Sequence, residues 1–313
     1  MKIEHSKIKI LVSVILMMMV CSFSAQAAVK GSFLYGLSNF TGTIAVSWPR
    51  VVADRDRNEV YVLYQNTVRV FNEFGMEIYR FGDDLDLGLI VDVGVNQKGD
   101  VLLLSYKESK GGIIQCNYRG EPKSEIELKN LPSEFSGFAP NRMVCQNGDL
   151  YLVSLSGLKV VIASQEGHFK KGYDLFTLLE LEEKDRGNVE VMGFSVDKEG
   201  NILMTVPVLF RACILTPDGN LNWFGKPGSI PGRFNLVAGI VRDSKGNYVV
   251  VDKLKSAIMV FDKNFKFLTQ FSSRGYKPGY LIAPDDIAID NDNRVYVTQV
   301  GKRGVSVFKL TYN

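Results

Sequence analysis

Two arginines and two aspartates share one repeated position in this 313-residue chain: Arg50, Asp92, Arg142 and Asp286 each stand four residues ahead of a polar residue that closes an apolar run. Gly193 and Gly239 hold the same place in two further runs. Guanidinium groups set among carboxylates and glycines can orient a polar or anionic ligand, the arginines donating in pairs and the glycines leaving room beside them. The same charges can instead neutralise one another as rim salt bridges, each worth about 0.2 to 1 kcal/mol when exposed.

A second set of cations falls in the loops after the second apolar run of units two, four, five and six: Lys107, Lys110, Arg211, Lys253, Lys255, Lys302 and Arg303, against Glu108. A face carrying them would draw an acidic polysaccharide, a phosphate-bearing envelope component or the acidic patch of another protein. Solvated loop lysines are also ordinary, and acids such as Asp86 and Glu180 fall in neighbouring connections.

Histidine-ligated metal, haem and serine-nucleophile chemistry lack their residues. Beyond residue 27 there is one histidine, His168, placed directly after Gly167 at a turn away from the Arg/Asp positions, which argues against a His-ligated zinc or iron site. No phosphate-binding glycine loop, haem attachment motif or nucleophile elbow occurs. A calcium-type site built from Asp92, Asp285, Asp286, Asn141 or Glu190 is the alternative, since hard cations need only oxygen ligands. Arg50 and Arg142 would oppose a cation held there.

The elements that carry these residues repeat about every 47 residues. The closing polar residues are Asp54, Asn96, Gln146, Asp197, Asp243 and Asp290. A second anchor follows the third apolar run of each unit at Asn72, Asn117, Ser164, Thr216, Asp262 and Lys309. In the first four units a glycine comes three residues after it (Gly75, Gly120, Gly167, Gly219), as a tight turn into a fourth strand requires. Six units of four strands, arranged radially, predict an all-β, six-bladed β-propeller. The sixth unit stops after its third strand, and residues 31–37 can supply the missing one, closing the ring and removing an open edge. The blades fall near 48–82, 88–130, 139–175, 190–225, 234–272 and 281–312. The irregular connection 175–190 has apolar residues at helical spacing, either a short helix over the channel mouth or a connector covering a sheet edge.

Residues 1–27 read as a secretory signal peptide: Lys2, Lys7 and Lys9 precede the apolar run 10–20, and Ala25-Gln26-Ala27 offers a cleavage site. Lipid attachment at Cys21 would want a small residue where Val20 stands. Removing this segment takes three lysines and one glutamate from 37 basic and 34 acidic side chains, leaving the remainder near neutral and without the electrostatic footprint of a nucleic-acid binder. Cys116, Cys145 and Cys213 remain, each in or at the end of an apolar run, as buried free thiols would be.

The stretches GKPGSIPGRFNLVAGIVRD (225–243) and GYKPGYLIAPDDIAID (275–290) resemble the NHL repeat, whose pattern runs P-G-x-F and then P-x-G-I-A-V-D. The resemblance is sharpest over 224–308 and implies a six-bladed propeller in an exported bacterial protein. Such propellers are mostly binding scaffolds, with a minority of related lyases, lactonases and esterases. The sequence reading is therefore a periplasmic or secreted monomeric scaffold without cofactor. It would bind a protein or anionic polysaccharide through Arg50, Asp92, Arg142, Asp286, Lys253, Lys302 and Arg303. A calcium-assisted lactonase or lyase is the alternative.

Overall fold

The computed structural model describes residues 29–312 apart from 84, 85 and 109; the signal-peptide reading falls outside that range. Six four-stranded antiparallel sheets follow one another along the chain as the blades of a propeller. Blade 1 is built from Arg50–Asp54, Glu59–Tyr64, Thr67–Phe71 and Glu77–Phe81, strands a to d from the axis outward. Blade 6 has Ile287–Ile289, Arg294–Thr298 and Val305–Tyr312 as its own strands. Its outer strand is β1, Val29–Gly36, which pairs antiparallel with Val305–Tyr312 from Val29 opposite Tyr312 to Gly36 opposite Ser306. The N-terminal strand thus closes the ring, beginning two residues earlier than expected.

The inner strands read as nearly unbroken apolar runs because each sheet is covered on both faces. Six buried clusters lie one between each pair of neighbouring blades. The cluster between blades 6 and 1, for example, joins Val51, Val60 and Phe71 to Tyr296, Val305 and Val307. A strand buried on both sides cannot alternate polar with apolar residues.

The anchor residues act through their side chains. Asp54 Oδ1 accepts the N–H groups of Asp56 and Arg57. Asn96, Asp197, Asp243 and Asp290 each accept those two and four residues on. This satisfies backbone donors that the hairpin leaves unpaired, at a net gain of about 1 kcal/mol each. Blade 3 has Gln146 instead and turns on Asn147 and Gly148, both at positive φ, the pair favoured in a tight hairpin.

Between strands c and d, Gly75, Gly120, Gly167 and Gly219 sit at φ of 77° to 92°. A Cβ at Gly75 would stand 2.4 Å from the Tyr35 ring, and one at Gly120 would stand 2.0 Å from Phe81. The glycine therefore serves both the turn and the seating of the preceding blade's outer strand on it. Blade 5 has no glycine there: Phe265 adopts φ 66° and stacks on Phe224 at 5.0 Å between ring centroids.

The connection after blade 3 contains a one-turn helix, Leu175–Leu178, whose first amides are capped by Asp174. Leu175, Leu179, Val189 and Val191 join the cluster between blades 3 and 4. The segment is a connector covering a blade seam.

Candidate functional site

Strand a of each blade starts at the face that also carries the b–c loops, and there the charged ring assembles as an ion triad. Arg50 Nε donates to Asp92 Oδ1 at 2.8 Å, and its Nη1 donates to Asp286 Oδ2 at 2.7 Å. Asp92 Oδ2 also accepts the Met143 N–H at 2.7 Å, and Asp286 Oδ2 the Val51 N–H at 3.0 Å. Blades 6, 1, 2 and 3 are thus tied together where their inner strands begin. The Arg50 side chain is 9% exposed and that of Asp92 0%. Burial pulls the guanidinium's pKa down, but Asp286 and Asp92 outweigh it and hold the group above its ordinary value.

Of the two readings of the ring, mutual neutralisation is the one the geometry holds, and it is buried rather than at an exposed rim. Arg142 stands apart, its Nη1 donating to the Asn141 carbonyl at 3.0 Å with no carboxylate in reach among the described residues. The glycines do not leave room for a ligand, contrary to expectation. A Cβ at Gly193 would meet the Ala238 carbonyl at 2.4 Å, and one at Gly239 the Ile287 side chain at 2.6 Å. Both let neighbouring inner strands approach closely.

The loop cations divide by blade. Lys107 and Lys110 are exposed and pair with Asp86 and Glu127, while Arg211 lies over the Trp223 ring at 3.9 Å. Around blades 5, 6 and 1 the loops interlock. Lys253 Nζ donates to Asp285 at 2.7 Å and lies 4.2 Å from the centre of the Trp48 ring. The Trp48 indole donates to the Ala283 carbonyl and its backbone N–H to that of Gln299. Lys255 Nζ donates to the carbonyls of Ile230 and Arg233, and Arg303 Nη1 to that of Tyr276, whose ring it also faces. Lys302 is exposed and has no partner among the described residues.

These contacts hold an apolar patch at the surface: Trp48 is 47% exposed, Ile230 62%, Leu254 65% and Tyr276 81%. Sequence reasoning found Lys253, Lys302 and Arg303 but not the apolar side chains among them. Trp48, two residues ahead of Arg50, was the available signal.

The central channel was expected, with its working mouth at the charged ring, but its other end was not. A channel of about 390 Å³ runs along the axis from Arg50, past Val52, Val95, Val144 and Val196, to exposed Gln97, Asn147, Lys198 and Asn291 in the a–b turns. It opens on the face opposite the ion triad.

Of the five oxygen ligands proposed for calcium, four are engaged elsewhere, and Glu190 is exposed in the connection after blade 3. Asp92 and Asp286 hold Arg50, Asp285 holds Lys253, and Asn141 Oδ1 accepts the Leu155 N–H. Among the described residues no three His, Cys, Asp or Glu side chains gather as a metal site would need. His168 is exposed at the c–d turn of blade 3, away from the triad.

The comparisons agree on the architecture. A family model described as a 6-bladed beta-propeller matches residues 235–313, a coarser description than the NHL repeat. No curated protein matches the chain. Among solved structures, a streptogramin B lyase is similar over 91% of this chain and 98% of its own, at 12% identity and a TM-score of 0.59. A catalytically inactive histidine-to-alanine variant of virginiamycin B lyase from Staphylococcus aureus is 11% identical over 91% of this chain and 99% of its own, at 0.57. An auxiliary nutrient binding protein from Bacteroides ovatus is 12% identical over 91% of this chain and 78% of its own, at 0.59. At such identities the likeness is one of fold.

Proposed function

We propose that this chain is an exported, non-catalytic propeller scaffold whose working surface is the b–c loop face across blades 5, 6 and 1. The observation that carries this reading is the interlocked patch of Trp48, Leu254, Ile230 and Tyr276 around Lys253 and Arg303. Exposed aromatic and aliphatic side chains among cations, fixed by loop-to-loop hydrogen bonds, have the make-up of a protein interface core. The aliphatic members favour a protein with an acidic, apolar patch over an anionic polysaccharide. Of the residues first considered, Lys253, Lys302 and Arg303 remain in the binding role, while Arg50, Asp92 and Asp286 hold the blades together.

The lyase reading is weaker here because the only described histidine lies at an outer turn. Export rests on the character of residues 1–27. No helix among the described residues is long and apolar enough to cross a membrane.

The test compares the chain from Ala28 with a Leu254→Asp, Tyr276→Asp double variant. Both positions are exposed, so the melting temperature should hold. Chemical cross-linking in the native envelope should give one defined protein adduct with the parent and lose it in the variant. An adduct unchanged in the variant would reject this face, and retention by an immobilised acidic polysaccharide alone would make the partner a glycan.

A further inference from the structure

The open end of the axial channel carries a charge pattern unlike that of its closed end. The residue after each a–b anchor is Arg55, Gln97, Asn147, Lys198, Ser244 or Asn291 in blades 1 to 6. This second ring has two cations, four neutral hydrogen-bonding side chains and no acid. Two pairs of its members are joined through side-chain amides: Asn291 Nδ2 donates to the Arg55 carbonyl at 2.8 Å and Asn147 Nδ2 to the Lys198 carbonyl at 3.0 Å.

Arg55 is the member left incomplete. Its Nε donates to the Ile289 carbonyl at 3.0 Å, which fixes the guanidinium, but neither Nη has an acceptor among the described residues. The carboxylates around it already have their own arginines: Asp290 pairs with Arg294 at 2.6 Å, Asp197 with Arg242 at 2.7 Å, and Asp54 with Arg57 at 3.1 Å. Asp56 stands exposed at the rim. Burial, only partly offset by Asp290 and Asp197, pulls the Arg55 pKa below its ordinary value. A half-buried guanidinium in that condition gains from an added anion. Lys198, across the ring in blade 4, is exposed, and its ammonium has no partner among the described residues.

We infer that this mouth of the channel is a binding site for a small organic carboxylate, received by the free Nη pair of Arg55 with Lys198 as a second cation. The fork of two N–H donors matches a carboxylate. Beyond it the walls turn apolar, at Val52, Val95, Val144, Val196 and Ile289, and accept an uncharged body. The volume of about 390 Å³ lies in the range of small-molecule pockets. This site is on the opposite face from the loop patch and stands independently of it.

The experiment is calorimetric titration of the chain from Ala28 with glucuronate, succinate and inorganic phosphate at millimolar concentration. At least one of the two acids should bind, and more tightly than phosphate. Arg55→Met should weaken it about tenfold or more, as loss of a charged hydrogen-bonding pair does. Lys198→Gln should weaken it roughly two- to fivefold, and Arg119→Gln, outside the channel, should leave it unchanged. Should Arg55→Met fail to fold, Arg55→Lys keeps the charge, loses the fork and must still weaken binding. No binding of either acid, equal binding in the Arg55 variant, or phosphate binding as tightly as the acids would overturn the assignment.

Discussion

Replacing Arg50 with methionine tests the ion triad. The substitution keeps much of the side chain's length but leaves the Asp92 carboxylate, 0% exposed, without its counter-charge, and deprives Asp286 of its partner. Asp92 would keep the Val93 and Met143 N–H donors, and Asp286 that of Val51. Breaking a buried pair by removing one partner costs about 3 to 5 kcal/mol. At roughly 2 to 4 °C per kcal/mol for a domain of this size, the melting temperature should fall by about 6 to 20 °C.

Urea unfolding should show the same loss as a lower midpoint at unchanged slope. Adding Asp92→Asn to Arg50→Met should cost less than the sum of the two single changes, with a coupling of about 0.5 to 3 kcal/mol. A loss below about 1 kcal/mol for Arg50→Met would place the triad with exposed pairs and refute its role in joining blades 6, 1 and 2.

Gly75→Ala should destabilise by about 1 to 3 kcal/mol in chemical denaturation, because a Cβ there meets both a φ of 77° and the Tyr35 ring of the closing strand. Burial pushes the Cys116 thiol up to about 11 and those of Cys145 and Cys213 to about 12. A chromogenic disulfide reagent at neutral pH should therefore spare the buried Cys116 and Cys213 in the folded chain from Ala28, leave the partly buried Cys145 in the channel wall as the thiol first to react, and label all three after unfolding. The Lys123 hydrogen bond holds Asp100 below the usual carboxylate range. Its stabilisation is present above the unfolded pKa and lost as pH falls through the lower folded value. Lys123→Met should therefore reduce the stability difference between neutral and acid pH, read by denaturation at both.

Turn chemistry made the architecture readable. Asp and Asn at the a–b anchors, and glycine three residues past the c–d anchors, are required by the backbone itself, so their spacing carries the blade count. Where another interaction met the same requirement the sequence signal vanished, as at Phe265, whose stacking on Phe224 supports a left-handed residue without glycine. The ring of Arg50, Asp92 and Asp286 was legible as a set of positions. That one guanidinium would join carboxylates from both neighbouring blades depends on reach and rotamer, which no spacing encodes. Trp48 and Leu254 were missed because an apolar residue in a loop gives no sign of its exposure. Arg55 was missed because it sits in a polar turn beside four aspartates, and that Asp290, Asp197 and Asp54 bond other arginines is not written in the spacing.

The central claim is that a partner protein engages the b–c loop face of blades 5, 6 and 1. Its most direct test places a photo-activatable cross-linking residue at Leu254, at Tyr276 or, on the opposite face, at Glu199, in the chain expressed in its native cell. One protein adduct of the same mass is expected from Leu254 and Tyr276, and none from Glu199. An adduct formed only from Glu199, or none from either loop position, would contradict it.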